Sequence, residues 1–294
     1  MPHLNPYPLF RLSRVSYRYK SRFPAVSDID LIIRNGEKIA VLGAMRAGKS
    51  SLLKILQGRL TPEKGIVYFL EKPLTSENIS FLQSRVGFAG QFPDEQLFRP
   101  TILDDLVYGS GLMNHVSGPQ MGKIEKVCQR LGIQDVFDRP SGELSGSEKK
   151  LVSIAASLAF NPEILILDEP TAGLSPYLKD QVQSLIKDSN YAPATVIFST
   201  NDLDIAKSLS MRTLLLSPDH RIMADGPTSN ILDDSHLLIE SRMIHEHVHF
   251  HHGTPHYHRH AHDREHGHRH GSEENAREGE MKVDRSVTAF RSKD

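Results

Sequence analysis

Residues 38–56 read KIAVLGAMRAGKSSLLKIL. They begin with an apolar run typical of a strand that is buried on both faces, and they end with leucines at helical spacing. Between these patterns lies Gly43-Ala-Met-Arg-Ala-Gly48-Lys49-Ser50, which matches the pattern G-x-x-x-x-G-K-[ST]. A strand, a glycine-bounded turn and a helix in this order predict a loop whose backbone N–H groups surround phosphates.

The side chains at the end of this loop predict a nucleotide with magnesium. Lys49 can reach the β- and γ-phosphates, and the Ser50 hydroxyl is placed to ligate Mg²⁺. The glycines let the backbone approach the phosphates because they carry no Cβ. The predicted nucleotide-binding residues of the loop are Gly43, Ala44, Met45, Arg46, Ala47, Gly48, Lys49, Ser50 and Ser51.

The rest of the first 240 residues predicts an α/β fold built from parallel βα units. Apolar runs at 85–88, 164–167 and 195–198 resemble the run before the loop, and helical patterns alternate with such runs. Residues from about 95 to 147 carry helical patterns separated by glycines, with no strong strand. They predict a helical subdomain inserted into the sheet domain.

A second motif follows one of these apolar runs. Residues 164–167 lead directly into Asp168-Glu169-Pro170. We expect Asp168 to hold Mg²⁺ through water and Glu169 to polarise the water that attacks the γ-phosphate. An ordinary strand-end turn is the alternative interpretation of the two acids.

Composition excludes several classes of function. The 294 residues include 35 Lys plus Arg against 36 Asp plus Glu, so no basic excess indicates a nucleic-acid partner. The single cysteine, Cys128, excludes an intrachain disulfide and a thiolate-rich zinc site, and we expect it to pack as a small core residue. No apolar run reaches the ~18 to 20 residues of a bilayer span, and the N-terminus lacks the layout of a secretory signal.

Histidines dominate the chain after Glu240. Of the 16 histidines, 12 lie between His245 and His270, in a segment too polar to offset its ordering entropy. We therefore predict a folded domain over 1–240 and a disordered, metal-binding tail over 241–294. Imidazoles at i, i+2 and i+4 can converge on Ni²⁺, Co²⁺, Zn²⁺ or Cu²⁺; a purification tag and a pH-responsive polycation are the alternatives. The candidate ligands are His245, His247, His249, His251, His252, His256, His258, His260, His262, His266, His268 and His270.

The segment Leu144-Ser-Gly-Ser-Glu148 resembles the LSGGQ signature of the ATP-binding cassette (ABC) ATPases, and it precedes Asp168 and Glu169 as it does in that family. The resemblance covers about residues 9–235. It implies a P-loop NTPase (RecA-like) core with a mixed, mainly parallel sheet, ATP and Mg²⁺ as ligands, and a head-to-tail homodimer or a heterodimer with another ABC ATPase.

Further site residues are implied by the resemblance alone. Tyr19 resembles the aromatic residue that stacks on adenine, although Tyr17 competes for that role. Gln91 resembles the glutamine that senses Mg²⁺ and contacts the transporter. Three signature residues are expected to close over the γ-phosphate of the opposite subunit; they are Ser145, Gly146 and Ser147.

The stretch QFPDEQLF at 91–98 resembles the ATPase subunits of energy-coupling-factor importers of vitamins and transition metals. Such an ATPase works as a peripheral protein on the cytoplasmic face of the membrane, bound to integral membrane subunits. Together with the tail, the resemblance implies a cobalt or nickel importer. The alternatives are a degenerate, ATP-binding regulatory subunit with a metal-storing tail, and a soluble ABC ATPase of DNA repair or translation; the latter usually carries coiled coils or tandem cassettes, which this sequence lacks.

Several positions depart from the family pattern. Asn201 stands where the family has the switch histidine that contacts the γ-phosphate, and its amide can donate a hydrogen bond but cannot relay a proton. Ser175 replaces an aspartate, Ser147 replaces the second signature glycine, and Arg46 replaces a small residue of the phosphate loop. We expect secure nucleotide binding with slow hydrolysis, or a partner ATPase that has the standard residues.

Overall fold

The strand predicted before the phosphate loop runs from Lys38 to Gly43 and lies inside a six-stranded sheet of the computed structural model. The structure describes residues 7–20, 23–109, 118–251 and 254–261. Within these residues the strands are β1 (Pro8–Arg18), β2 (Pro24–Arg34), β3 (Lys38–Gly43), β4 (Lys64–Phe69), β5 (Lys72–Pro73), β6 (Val86–Ala89), β7 (Ile164–Asp168), β8 (Thr195–Ser199), β9 (Arg212–Leu216), β10 (Ile222–Pro227), β11 (Ile244–His251) and β12 (Thr254–Ala261).

The helices lie between these strands and at the end of the sheet domain. They are α1 (Lys49–Leu56), α2 (Ile79–Gln83), α3 (Ile102–Gly109), α4 (Gly118–Leu131), α5 (Gly146–Leu158), α6 (Pro176–Lys187), α7 (Leu203–Leu209), α8 (Thr228–Asp233) and α9 (Ser235–Glu240). Short 3-10 turns occupy Pro93–Glu95, Gln134–Val136 and Ser141–Glu143. None of the helices in the described ranges has both the length and the apolar composition that a membrane crossing requires.

The six-stranded sheet has the order β10-β9-β3-β8-β7-β6. Its inner pairs, β9–β3, β3–β8, β8–β7 and β7–β6, are all parallel, and β10 joins the edge antiparallel to β9. This confirms the predicted mixed, mainly parallel sheet. A separate antiparallel sheet of order β2-β1-β4-β5 forms from the N-terminal third of the chain.

The interiors of the central strands are apolar because each face of the sheet contacts its own core. On β3, Ile39 and Val41 belong to the core shared with α1 and the antiparallel sheet, whereas Ala40 and Leu42 belong to the core shared with α5 and α6. Alternate side chains of a strand point to opposite faces, so a strand covered on both faces has no polar side. The same division separates Ile166 from Leu167 on β7.

The predicted helical region is occupied by α3, α4 and two of the 3-10 turns, and the described residues between β6 and β7 contain no strand. Both helices pack on α5. Cys128 of α4 is fully buried, and this burial raises the pKa of its thiol to about 12. The cysteine is therefore a protonated core residue, in agreement with the sequence prediction.

The structure differs from the sequence prediction after Glu240. Strands β11 and β12 pair antiparallel over 244–261, where composition predicts disorder, and Ile244 is buried in the core. Val248, Phe250 and Tyr257 alternate with histidines, and a period of two is compatible with a strand. Residues up to Asp263 form one unit of the chain, and the second unit, Arg264–Asp294, lies outside the described residues.

Close packing of α5 against β6 leads to a stability prediction. A Cβ at Gly87 would lie 2.0 Å from the backbone oxygen of Ser157 and 2.9 Å from Pro162 Cγ. Since backbone atoms cannot move aside cheaply, Gly87→Ala should lower the free energy of unfolding by about 3 kcal/mol. Urea unfolding followed by circular dichroism measures the change.

Gly122→Ala in α4 is the matched control, because no atom would lie within 4 Å of its Cβ. This variant should be more stable than the wild type by about 1 kcal/mol, since alanine favours the helix. Equal urea midpoints for the two variants would contradict the packing argument.

Candidate functional site

Three parallel strands end at one edge of the sheet, and their following residues line a cleft. The phosphate loop follows β3, Glu169 follows β7 and Asn201 lies two residues beyond β8. We call this the Lys49 cleft; it is lined by Tyr19, Phe23, Pro24, Ala25, Ala44, Met45, Arg46, Ala47, Gly48, Lys49, Ser50, Ser51, Gln91, Glu169, Asn201, Pro218, His220 and Arg242. Ligand sites at the carboxyl ends of parallel strands are typical of α/β sheets.

Lys49 is held at the centre of the cleft. Its ammonium nitrogen donates hydrogen bonds to the Gly43 carbonyl oxygen at 2.7 Å and to Asn201 Oδ1 at 2.7 Å, and it lies 3.9 Å from Glu169 Oε1. The residue is 7% exposed, and burial lowers the pKa of its ammonium. A buried cation with these partners is poised to meet an anion that enters the cleft.

The N-terminus of α1 is built to accept such an anion. Gly48 precedes the helix with a φ of 104°, no side chain caps the first turn, and that turn contains no acidic residue. The first N–H groups therefore keep their hydrogen-bonding capacity for a ligand. A Cβ at Gly48 would lie 2.1 Å from the Ala25 carbonyl oxygen, so a side chain there would displace the loop from β2.

The acidic pair is organised by a serine that the sequence analysis missed. Ser199, the last residue of β8, donates a hydrogen bond to Asp168 Oδ1 at 2.5 Å and accepts one from the Glu169 N–H at 2.9 Å. Both acids are buried, and burial raises the pKa of Glu169 while the charge of Lys49 opposes this shift. The sequence did contain a signal for this role, because Ser199 is a polar residue at the end of an otherwise apolar run.

Glu169 has a strained backbone conformation. Its φ is 49°, in the left-handed region that non-glycine residues rarely adopt. Such strain persists where surrounding contacts hold it, and it is concentrated at functional sites. Here Lys150 supplies one such contact, because its Nζ donates to the Glu169 carbonyl oxygen at 3.2 Å and to the Gln91 carbonyl oxygen at 2.9 Å.

Tyr19, and not Tyr17, lines the cleft. Tyr19 is 43% exposed, and its hydroxyl lies 3.4 Å from the donating Ser51 hydroxyl. Tyr17 packs against the core and contacts the Tyr19 ring edge-on at a centroid distance of 5.0 Å. The cleft wall also contains Phe23, His220 and Arg242, which the sequence analysis did not select.

The predicted magnesium and tail ligands fall into three groups. Ser50 and Gln91 line the cleft with Lys49, and Asp168 is buried directly before Glu169 in the sequence. The side chains of these three residues offer oxygen atoms, which are the ligands that Mg²⁺ prefers. The uncapped N-terminus of α1 suits the phosphates of a nucleotide that would accompany the ion. Among side chains that the structure describes, no three or more His, Cys, Asp or Glu residues form a metal cluster. The tail residues outside the described ranges are His252, His262, His266, His268 and His270.

The signature segment is not part of the Lys49 cleft of the same chain. Ser145 caps α5, where its hydroxyl accepts a hydrogen bond from the Glu148 N–H while the Glu148 carboxylate accepts one from the Ser145 N–H. The Ser145 hydroxyl also donates to the Glu148 carboxylate at 2.7 Å, and this bond, together with that from the Ser145 N–H, lowers the pKa of Glu148. Ser145 and Gly146 are exposed, and a Cβ at Gly146 would meet no atom within 4 Å. The segment is thus rigid and accessible to another molecule.

Comparison with known proteins places this cleft in a family. Residues 26–172 match the family described as ABC transporter. The chain belongs to the ABC transporter family. As members of this family are ATP-binding cassettes that hydrolyse ATP, the chain is an ABC-type ATPase.

Individual relatives within this family include ATP-binding proteins of transport systems. The chain is 35% identical to the energy-coupling factor transporter ATP-binding protein EcfA2 of Methanospirillum hungatei over 80% of its own length and 60% of that protein. It is 33% identical to the cobalt import ATP-binding protein CbiO of Rhodobacter capsulatus over 79% of its length and 84% of that protein. The structure of cbiO1 from Clostridium perfringens, part of the ABC transporter complex cbiONQ, is 28% identical with a TM-score of 0.66, covering 79% of this chain and 93% of that one.

The contacts of Ser199 predict a selective defect in hydrolysis. Ser199→Ala removes the hydroxyl that positions both acids, so ATPase activity should fall about tenfold, and half-maximal activity should need more Mg²⁺. Steady-state phosphate release across a Mg²⁺ titration measures both effects.

Ser241→Ala is the matched control. Ser241 is also buried, but its hydroxyl donates to the Leu238 carbonyl oxygen of α9. Its loss should lower stability by about 1 kcal/mol and leave the Mg²⁺ dependence unchanged. Identical Mg²⁺ curves for the two variants would show that Ser199 does not position the acids.

Proposed function

We propose that this ATPase energises the import of a transition metal ion, cobalt or nickel, through partner membrane subunits. The observation that carries the proposal is the separation of the two halves of the site: Lys49 lies with Glu169 in one cleft, whereas Ser145 and Gly146 of the signature are exposed outside that cleft. The similarity to EcfA2 and CbiO supports the transport role and the class of cargo.

In the proposed reaction, the loop N–H groups and the N-terminus of α1 bind the phosphates of ATP. Lys49 exchanges its bonds to the Gly43 carbonyl oxygen and to Asn201 for the β- and γ-phosphates. Glu169 orients the attacking water and accepts its proton, and a burial-raised pKa makes its carboxylate a better base. Magnesium, when bound by Ser50, Gln91 and Asp168, neutralises charge on the phosphates.

A second ATPase subunit completes the site. We assign Ser145, Gly146 and Ser147 to the phosphates bound by the opposite subunit, which is a second copy of this chain or a related ABC ATPase. Support comes from the exposure of this segment and from the capping box that fixes it. Tyr19 is assigned to the adenine ring, with Tyr17 as its packing support.

The segment 91–98 is assigned to the membrane subunit. Phe92 and Phe98 are each 61% exposed, which offers apolar surface to a partner on the cytoplasmic face of the membrane. The same segment is tied to the signature helix, since Lys149 Nζ donates to Asp94 Oδ1 at 2.6 Å. Closure of a dimer around ATP can thus be transmitted to the partner through contacts between side chains.

The tail is assigned to transition-metal binding, as a buffer or sensor that adjusts uptake of the cargo. Imidazole nitrogen suits Ni²⁺, Co²⁺ and Zn²⁺. We expect Ser175 and Asn201 to make turnover slow. Ser175 lacks the charge of the aspartate that it replaces, and Asn201 cannot relay a proton as the replaced histidine can.

Nucleotide-dependent dimerisation tests the proposed site directly. Glu169→Gln blocks the attack on ATP, so the variant with ATP and Mg²⁺ should elute as a dimer in size-exclusion chromatography with light scattering. Glu169→Gln combined with Lys49→Ala should remain monomeric, because it lacks the phosphate ligand. A monomer in both cases, with and without the candidate membrane subunits, would contradict the composite site.

Restoring the family residue tests the role of Asn201. Loss of one transition-state donor typically costs about 10²-fold in rate, and the asparagine amide replaces part of it. Asn201→His should therefore raise the ATPase kcat about tenfold. Asn190→His, at an exposed position, is the control and should leave kcat unchanged; equal kcat values for both variants would exclude Asn201 as the limiting residue.

A further inference from the structure

The register of the β11–β12 hairpin places histidines opposite histidines. Cα partners across the two strands run from Ile244 with Ala261 to His251 with Thr254. Three of these facing pairs consist of two histidines each: His245 with His260, His247 with His258, and His249 with His256.

All histidines of the two strands share one face of the hairpin. Facing residues of an antiparallel pair lie on the same side, and successive residues alternate between sides. His251, opposite Thr254, falls on the same side as the three pairs, and we call this side the histidine face. The other side carries no histidine; its facing pairs are Ile244 with Ala261, Glu246 with Arg259, Val248 with Tyr257, and Phe250 with Pro255.

This segregation depends on the register and not on composition alone. The histidines of β11 have odd numbers and those of β12 have even numbers, so a shift of one residue would place the two sets on opposite faces. The opposite-charge pair Glu246–Arg259 and the Val248–Tyr257 pair favour the observed register. The strand also starts from a buried residue, Ile244, which anchors the hairpin to the core.

Backbone spacing on this face suits a metal ion. Facing Cα atoms of antiparallel strands are about 4.5 to 5.5 Å apart, and neighbours on one strand and one face are about 6.8 Å apart. Two adjacent facing pairs therefore bring four histidines to neighbouring register positions on one face, and four is the number of ligands that a tetrahedral site takes. The central pair, His247 with His258, belongs to both of the four-histidine sets that can be formed.

We propose that the histidine face binds a borderline divalent cation, Ni²⁺, Co²⁺ or Zn²⁺, with His247 and His258 as shared ligands. This inference rests on the metal-binding role proposed for the tail and locates that role in seven of its residues. The site requires neutral imidazoles presented by a paired ribbon, and it does not require nucleotide or a partner subunit.

Metal titration of the full chain tests the proposal. Without nucleotide, isothermal titration with NiCl₂ and CoCl₂ compares the wild type, His247→Gln/His258→Gln and His266→Gln/His268→Gln. Even loss of an outer-shell partner weakens metal sites by about 10–100-fold, so removal of the central pair should weaken the tightest site by at least about tenfold. The variant at 266 and 268 loses the same number of histidines and should keep that site; equal loss in both variants would overturn the proposal.

A permuted variant separates register from composition. Exchanging Tyr257 with His258 and Arg259 with His260 keeps every residue type but moves two β12 histidines to the other face. This variant should also lose at least about tenfold in affinity; wild-type affinity would overturn the proposal in favour of binding by an unstructured histidine tract.

Measuring both metal binding and ATP hydrolysis distinguishes a failure of the histidine face from a failure of the proposed transport role. ATP hydrolysis by the same variants is measured in parallel, and it should match the wild type since none of the substituted residues is assigned to ATP or to its hydrolysis. Metal binding that depends on the central pair in a chain without ATPase activity would support the histidine face while contradicting the proposed function.

Discussion

Parallel pairing of β3 with β8, and of β8 with β7, is the constraint on which the site depends. The register aligns Val41 with Ser199 and Asp168 with Ser199, so the phosphate loop, the acids and Asn201 begin at one edge. Burial of the Lys49 ammonium alone, or of the Glu169 carboxylate alone, is unfavourable because a charged group loses its hydration. Their proximity, with carbonyl and hydroxyl partners, keeps both groups in place until a phosphate ligand supplies stronger partners for the lysine.

The signature helix connects this edge to the surface. Its N-terminus is fixed by Ser145 and Glu148, and its second turn reaches the backbone of Gln91 and Glu169 through Lys150. Glu148 stands where the LSGGQ signature has glutamine. It still completes the capping box of α5, because either residue can occupy this position of the box. The helix therefore links the exposed residues that we assign to a second subunit with the buried acids.

The sequence predicted the parts of this protein that are encoded locally. The loop around Lys49 and the acids after β7 are contiguous motifs, and continuous apolar runs indicate strands covered on both faces. The N-terminal antiparallel sheet escaped prediction because β1 pairs with β2 through several register shifts that interrupt its alternation. Ser199 escaped because its partners, Asp168 and Glu169, come from another strand. The hairpin after Glu240 was missed because composition was given more weight than its period of two.

Asn201 shows how one substitution changes the chemistry of the Lys49 cleft. Its amide carries an acceptor and a donor at once, and the acceptor is used by Lys49 at 2.7 Å. A neutral imidazole can also accept a hydrogen bond, but once protonated it carries a positive charge that the nearby ammonium would repel. The asparagine thus holds the lysine at every pH, at the expense of the positive charge that a histidine can offer to the γ-phosphate. The residue to which we assign slow turnover is therefore also one of the residues that hold the Lys49 ammonium in position.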